Sequence, residues 1–159
     1  MPPITALLHT ANDALRLGRA LEMLLPCAEL LIVDHRSTDA TRRVAREYGA
    51  RIVPAHGHAA ANYLELARHE WILCLDPSES ITEGLQATLF EWSSLPAHIV
   101  GGTPGFSVLV REQIAETWRH LDPETRLVPR HWNLWNEGLP VHEPSSIALE
   151  GELLRIAFP

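Results

Sequence analysis

Leu30-Leu31-Ile32-Val33-Asp34-His35-Arg36-Ser37-Thr38-Asp39 is an apolar run that ends abruptly in acids and hydroxyls. Consecutive apolar residues fit a strand covered on both faces. Ser37-Thr38-Asp39, just ahead of Ala40-Thr41-Arg42-Arg43-Val44, supplies the side-chain acceptors that cap a helix N-terminus. In open α/β sheets ligands bind at such strand-to-helix turns.

Working outward, the same grammar repeats. Ile4–Leu8 reads as a strand, and the segment after it sets Leu17, Leu21, Leu24 and Leu25 on one helical face. Glu29–Val33 is a strand, Ala40–Tyr48 a helix stopped by Gly49, and Arg51–Val53 a further strand. Ala59–Ala67 has helix-forming composition, and Trp71–Leu75 is a strand ending at Asp76. This βαβαβαβ alternation predicts a doubly wound, mostly parallel sheet with right-handed crossovers and helices on both faces. After Asp76 the pattern changes. Thr82–Trp92 reads as a helix capped by Thr82. Ile99-Val100 and Phe106–Val110 read as short strands separated by Gly101-Gly102-Thr103-Pro104-Gly105. From Ile114 onward, Trp118, Trp132 and Trp135 among prolines, histidines and charges suggest short strands and loops packed over a mixed sheet.

Composition bounds the function. A chain of 159 residues with 46% hydrophobic content can bury one ordinary core, so residues 1–159 are expected to form a single compact domain. With 13 basic against 20 acidic residues the net charge is -7, which argues against a broad footprint for nucleic acid. Cys27 and Cys74 suggest neither a disulfide framework nor a zinc knuckle, and a cytoplasmic address follows as the expectation. Met1-Pro2-Pro3-Ile4 lacks a basic leader pattern, and no apolar run approaches the ~20 residues needed to span a bilayer; peripheral membrane contact and homo-oligomers stay compatible.

A doubly wound sheet brings the polar residues at its strand ends to one edge. These are Thr10 and Asn12, Asp34 and Ser37, His56 and His58, then Asp76, Ser78 and Glu79. Singly, each is what turns and caps collect. Together, Thr10-Ala11-Asn12-Asp13, Val33-Asp34-His35-Arg36-Ser37-Thr38-Asp39, Asn62 and Glu70-Trp71-Ile72-Leu73-Cys74-Leu75-Asp76-Pro77-Ser78-Glu79 resemble, in order, the family 2 glycosyltransferases of the GT-A fold. Arg126-Leu127-Val128-Pro129-Arg130 followed by Val141-His142-Glu143 resembles the tail of small transferases acting on lipopolysaccharide core sugars.

The resemblance implies transfer of a sugar from a nucleoside diphosphate donor to a glycan or lipid-linked acceptor, in the service of cell-envelope polysaccharide, at the inner face of the membrane. Residues 1–80 would form the nucleotide-binding half and 81–159 the acceptor-side half. Thr10, Asn12, Asp13 and Asn62 would lie at the donor, Asp34 would contact its base or ribose, and Arg126 and Arg130 would pair with diphosphate oxygens. Asp76 matches the first acid of the family's Asp-X-Asp motif, which holds Mg²⁺ or Mn²⁺; Glu79 and His142 complete the expected metal set. Glu143 would take the proton of the attacking hydroxyl, giving inversion by single displacement.

Two departures stand out. Ser78 occupies the place of the second acid, with Pro77 before it, and His35 stands where the family has an aspartate. They open an alternative: a catalytically degenerate transferase fold that binds nucleotide, glycan or protein. His9, His35, His56 and His58, all near predicted strand ends, form a second conceivable metal set without a helical spacing to support it.

Overall fold

Continuous apolar strands demand cover on both faces, and the first half supplies it. The computed structural model describes residues 3–56 and 61–157. Strands β1 (Ile4–Thr10), β2 (Glu29–Asp34), β3 (Arg51–Pro54) and β4 (Trp71–Leu75) are parallel neighbours in the spatial order β3-β2-β1-β4. Helices α1 (Ala14–Glu22), α2 (Thr41–Glu47) and α3 (Ala61–Leu64) make the crossovers. Strand β5 (Glu79–Ile81) follows, then α4 (Glu83–Ser93) and α5 (Ala97–Val100). Strands β6 (Phe106–Ile114), β7 (Thr117–Pro129) and β10 (Ile147–Ile156) complete one mixed eight-stranded sheet, β3-β2-β1-β4-β7-β6-β10-β5. A separate ribbon pairs β8 (Trp135–Asn136) with β9 (Leu139–Pro140).

Alternation along the strands divides the core. Ala6, Leu8, Ile32, Leu73 and Leu75 face α1, α2 and α4, where Leu17, Leu21, Leu85 and Leu89 are buried. Leu7, Leu31, Val33, Ile72 and Cys74 face the other way, under Tyr63 and Leu64 of α3 and the ribbon's Trp135 and Leu139. Trp71 sits edge-on to Trp92 and Phe106 in the first core. Helix α4 begins as expected: the Thr82 hydroxyl accepts from the Leu85 N–H at 3.3 Å.

Several expectations change. Ile99-Val100 is helical, not extended: Pro96, with φ -61°, starts a single turn that buries Val100 and leaves Ile99 exposed. The segment after Ile114 holds two long strands besides the short ribbon strands expected there: β7 completes a long hairpin with β6, and β10, ten residues long, lies beside β6. Charge obscured the hairpin: Arg119 pairs with Glu112 across the strands at 2.7 Å and Arg111 lies over Trp118, so its outer half lacks apolar alternation. Strand β5 is unanticipated, being three residues held only by β10. Leu24 and Leu25 both fall beyond the end of α1, where Leu24 is buried and Leu25 exposed. The helix expected at Ala59–Ala67 is described only as Ala61–Leu64; residues 57–60, with His58, lie outside the described residues.

Candidate functional site

The carboxyl ends of β1, β2 and β4 converge. Thr10 pairs with Asp34, and Leu8 with Leu75, so Asp76 follows level with His9, about 10 Å from β2 at two strand spacings. Asp34 is 4% exposed. Its Oδ1 accepts from the Thr10 hydroxyl at 2.8 Å and from the Ser37 hydroxyl, and its Oδ2 from the Ser37 N–H at 3.1 Å. Burial pushes this carboxyl up, but the Ser37 and Thr10 hydroxyls, the Ser37 amide and nearby Arg42 outweigh it and hold it below the usual carboxylate range. Asp34 is therefore an anion with one unused lone-pair direction on Oδ2.

Asn12 and Asp13 stitch the two turns together. Asn12 adopts φ 56°, and its Oδ1 accepts from the Thr38 N–H at 2.8 Å and the Asp39 N–H at 3.3 Å. Its own N–H donates to the Ser37 hydroxyl at 2.9 Å. Buried Asp13 accepts from the Ala11 N–H at 2.8 Å and is paired with Arg16, while its N–H donates to the Thr41 hydroxyl at 2.8 Å. Asp39 accepts from the Thr41 and Ala14 amides, tying the starts of α1 and α2. Ser37 and Thr41 are the joints of this lattice; the sequence places Ser37 at this edge without a role and gives no sign of Thr41. For Ser37 the signal was the hydroxyl run after the strand.

At β4 the turn closes on itself. Asp76 Oδ1 accepts from the Ser78 N–H at 2.9 Å and the Ser78 hydroxyl at 2.6 Å, leaving Oδ2 open among the described residues. Glu79 Oε1 accepts from the Asp76 N–H at 2.8 Å. The carboxylate of Glu79 is fully buried and forks onto Arg126, also fully buried, at 2.6 and 2.8 Å. Arg155 adds a bond to Glu79 Oε2 at 2.9 Å, and Glu124 takes both guanidinium groups at 2.9 Å. Glu79 and Arg126 thus serve each other, not open solvent. Arg130 is half-buried and donates to the His69 carbonyl at 2.9 Å.

His142 and Glu143 reach the same edge through Thr125. Continuing the β4–β7 register from Leu73–Leu127 sets Thr125 level with Leu75. The Thr125 hydroxyl meets His142 Nδ1 at 3.0 Å and accepts from the Glu143 N–H at 2.9 Å. Glu143 Oε1 accepts from Ser145 through both hydroxyl and amide, which holds the Glu143 carboxyl below its ordinary range. At neutral pH it is deprotonated, with Oε2 free to accept a proton.

Among the described residues no three His, Cys, Asp or Glu side chains converge as a metal set. Of the metal set that the resemblance implies, Asp76 keeps one free oxygen, Glu79 is saturated by guanidinium groups, and His142 meets Thr125 through Nδ1, which leaves its Nε2 available. These residues form no closed three-ligand site; Asp76, with its open oxygen, is the one that would hold a divalent ion together with donor phosphates. Of the histidines, His9 Nδ1 meets His35 Nε2 at 2.9 Å, His56 is exposed with its carbonyl accepting from Tyr63, and His58 lies outside the described residues. Asn62 lies in α3, and its side chain is likewise outside them. Trp132 and Trp135 are half-buried against the second core, each donating its indole N–H to a backbone carbonyl of their own loop.

No protein-family model matches the chain. A protein from Rickettsia felis named as an uncharacterized glycosyltransferase is 32% identical over 91 residues, covering 54% of this chain and 32% of that protein. The lipopolysaccharide core biosynthesis glycosyltransferase LpsC of Rhizobium meliloti is 31% identical over 108 residues, covering 62% of this chain and 40% of its own length. The chain thus spans about a third of these relatives. Among solved structures, S. aureus TarS superposes with a TM-score of 0.54 at 17% identity, over 76% of this chain and 23% of TarS. Glucosyl-3-phosphoglycerate synthase from Mycobacterium tuberculosis, solved with Mn²⁺, uridine diphosphate and glucosyl-3-phosphoglycerate, superposes with a TM-score of 0.50 at 17% identity, over 70% of this chain and 44% of its own. By its fold the chain is of the GT-A glycosyltransferase type, and over about half its length it is related in sequence to bacterial glycosyltransferases.

Proposed function

We propose that the chain binds a nucleoside diphosphate sugar at the carboxyl edge of β1, β2 and β4 and transfers its sugar to a glycan or lipid-linked acceptor of the cell envelope, in the cytoplasm. The observation that carries this reading is the Asp34 anion: it is held between Thr10 and Ser37 with one acceptor direction unused, while Asp76 stands about two strand spacings away. A nucleoside diphosphate is long enough to span that interval. Asp34 accepts a base N–H or ribose hydroxyl, and Thr10, Asn12 and Asp13 keep the two turns in register beneath it. Glu143, anionic and half-exposed on the β7 side, accepts the proton of the acceptor hydroxyl as the new bond forms and the nucleoside diphosphate leaves. The single displacement inverts the sugar.

The relationship to LpsC supports an envelope acceptor, and the uridine diphosphate held by the mycobacterial synthase names the first nucleotide to try. Calorimetric titration with UDP, GDP and several nucleoside diphosphate sugars tests donor binding. One donor should bind selectively, and Asp34→Asn should weaken it by roughly tenfold, the worth of one charged hydrogen bond. Binding unaffected by Asp34→Asn removes Asp34 from the donor site. Glu143→Gln should keep donor affinity and lose transfer.

A second reading rests on the Asp76 turn. Ser78 occupies Oδ1 of the only acid at the motif, which suits a fold that binds without catalysing. Donor binding in His35→Asp/Ser78→Asp that becomes Mn²⁺-dependent, where the parent's does not, would favour it.

A further inference from the structure

Strand β4 runs out of partner on one side before it reaches the acid turn. Its antiparallel register with β7 pairs Trp71 with Pro129, Ile72 with Val128 and Leu73 with Leu127, and ends there. A strand turns the N–H and C=O of every second residue toward the same neighbour, so the Cys74 carbonyl and the Asp76 N–H both face the side where the β7 backbone no longer answers. Side chains answer instead. Arg126 Nη1 donates to the Cys74 carbonyl at 3.2 Å, and Glu79 Oε1 accepts from the Asp76 N–H at 2.8 Å. These two side chains are forked onto one another and fully buried, so they stand in for the missing stretch of β7 and carry β4 on to Asp76.

Every polar group of Asp76 but one is thereby engaged. Its N–H goes to the Glu79 carboxylate, its carbonyl accepts from the Glu79 N–H at 2.9 Å, and its Oδ1 accepts from the Ser78 amide and hydroxyl. Oδ2 alone stays open among the described residues. Stability does not explain the charges beneath this turn. A buried ion pair adds little over apolar side chains of the same volume, because both charges lose their water. An apolar pair, however, could bond neither the Cys74 carbonyl nor the Asp76 amide.

We propose that Arg126 and Glu79 are positioning residues for Asp76, holding its backbone so that the one open carboxylate oxygen is set for the donor phosphates and their divalent ion before either binds. The device matters most where Ser78 leaves a single acid at the motif. An oxygen fixed in advance gives up no rotamer freedom on binding, whereas one on a loose turn would. The inference rests on the donor-binding reading above, and its test separates the two.

The experiment is calorimetry of the whole chain with UDP and with GDP, each in EDTA and in Mn²⁺. It compares the parent with Arg126→Lys, which keeps a positive charge beside Glu79 but cannot fork between Glu79 and the Cys74 carbonyl, and with Leu89→Ala, which opens a cavity under α4 outside the acid turn. Melting temperature and circular dichroism check each fold. Expected are nucleotide binding by the parent that Mn²⁺ strengthens, loss of roughly tenfold of that gain in Arg126→Lys with affinity in EDTA unchanged, and the full gain in Leu89→Ala. A gain that survives Arg126→Lys, or a parent that binds nucleotide equally in EDTA and Mn²⁺, overturns the inference and leaves the donor-binding reading standing. Equal weakening by Arg126→Lys in both media marks a merely structural role and also overturns it. Silence toward both nucleotides in folded parent protein overturns both. Amide hydrogen exchange in the parent needs no variant: the Asp76 N–H should exchange as slowly as the ladder amides of β4, and exchange at the rate of an open loop overturns the inference.

Discussion

His9 is the residue whose ionisation the fold resists most plainly. Half-buried beneath the ribbon, it faces His35 and the edge of Tyr63, and its buried Nε2 has no partner among the described residues. Gly138, at φ +93°, lets the ribbon turn approach so closely that a Cβ there would stand 3.0 Å from His9 Cδ2. Burial, then the proximity of His35, lowers its pKa from 6.5 to about 4. The unfolded chain therefore binds a proton below pH 6.5 that the folded chain refuses until about pH 4, and stability falls as pH falls through that window. The full effect is on the order of 3 kcal/mol. Scanning calorimetry from pH 7.5 to 4 should show a falling melting temperature that His9→Gln flattens. Asp34, whose pKa is depressed, contributes stability present above the unfolded carboxylate value and lost below it, so its loss appears only at lower pH. Arg126 makes the second case at this scale. Burial works against its charge, but Glu79 and Glu124 raise its pKa further, and Arg126→Met leaves Glu79 buried with Arg155 alone. Chemical denaturation should read a loss of about 3–5 kcal/mol.

Among elements, α4 and β10 pack backbone to backbone. Gly151, at φ +102°, would place a Cβ 2.6 Å from Leu85 Cα and 2.8 Å from the Gly84 carbonyl carbon. Neither neighbour is a flexible side chain, so Gly151→Ala should cost roughly 3 kcal/mol or more through left-handed strain and overpacking. A denaturant midpoint well below that of Gly102→Ala, which meets nothing within 4 Å, checks it. Legibility also varies by element. Strands β1, β2 and β4 could be read because cover on both faces turns them into unbroken apolar runs. Of the β6–β7 hairpin only Phe106–Val110 could, because cross-strand charge pairs make the outer half imitate a solvated loop. Asp34 and Asp76 were legible as acids ending apolar strands. The Glu79–Arg126 pair was not: its members are 47 residues apart, and spacing alone gives no sign that two such charges share the interior.

For the molecule as a whole, Cys74 reports on global opening. It lies in the central strand, fully buried, and burial pushes its thiol up to about 12 against the pull of Arg126. A disulfide reagent should label Cys74 no faster than global unfolding allows. Labelling that outruns unfolding would show β4 opening locally. The sheet order carries a further implication for how the chain is made. The four parallel strands can assemble as they leave the ribosome, β2 and β3 each beside its predecessor and β4 beside β1. Strand β5 cannot, since its sole neighbour, β10, is translated some seventy residues later, and Glu79 meets neither arginine until residues 126 and 155 have emerged. At about 5–20 residues per second, that carboxylate waits several seconds in water before it is drawn inside. Strand β10, synthesised well after the acid turn, is the one that commits it to its final shape.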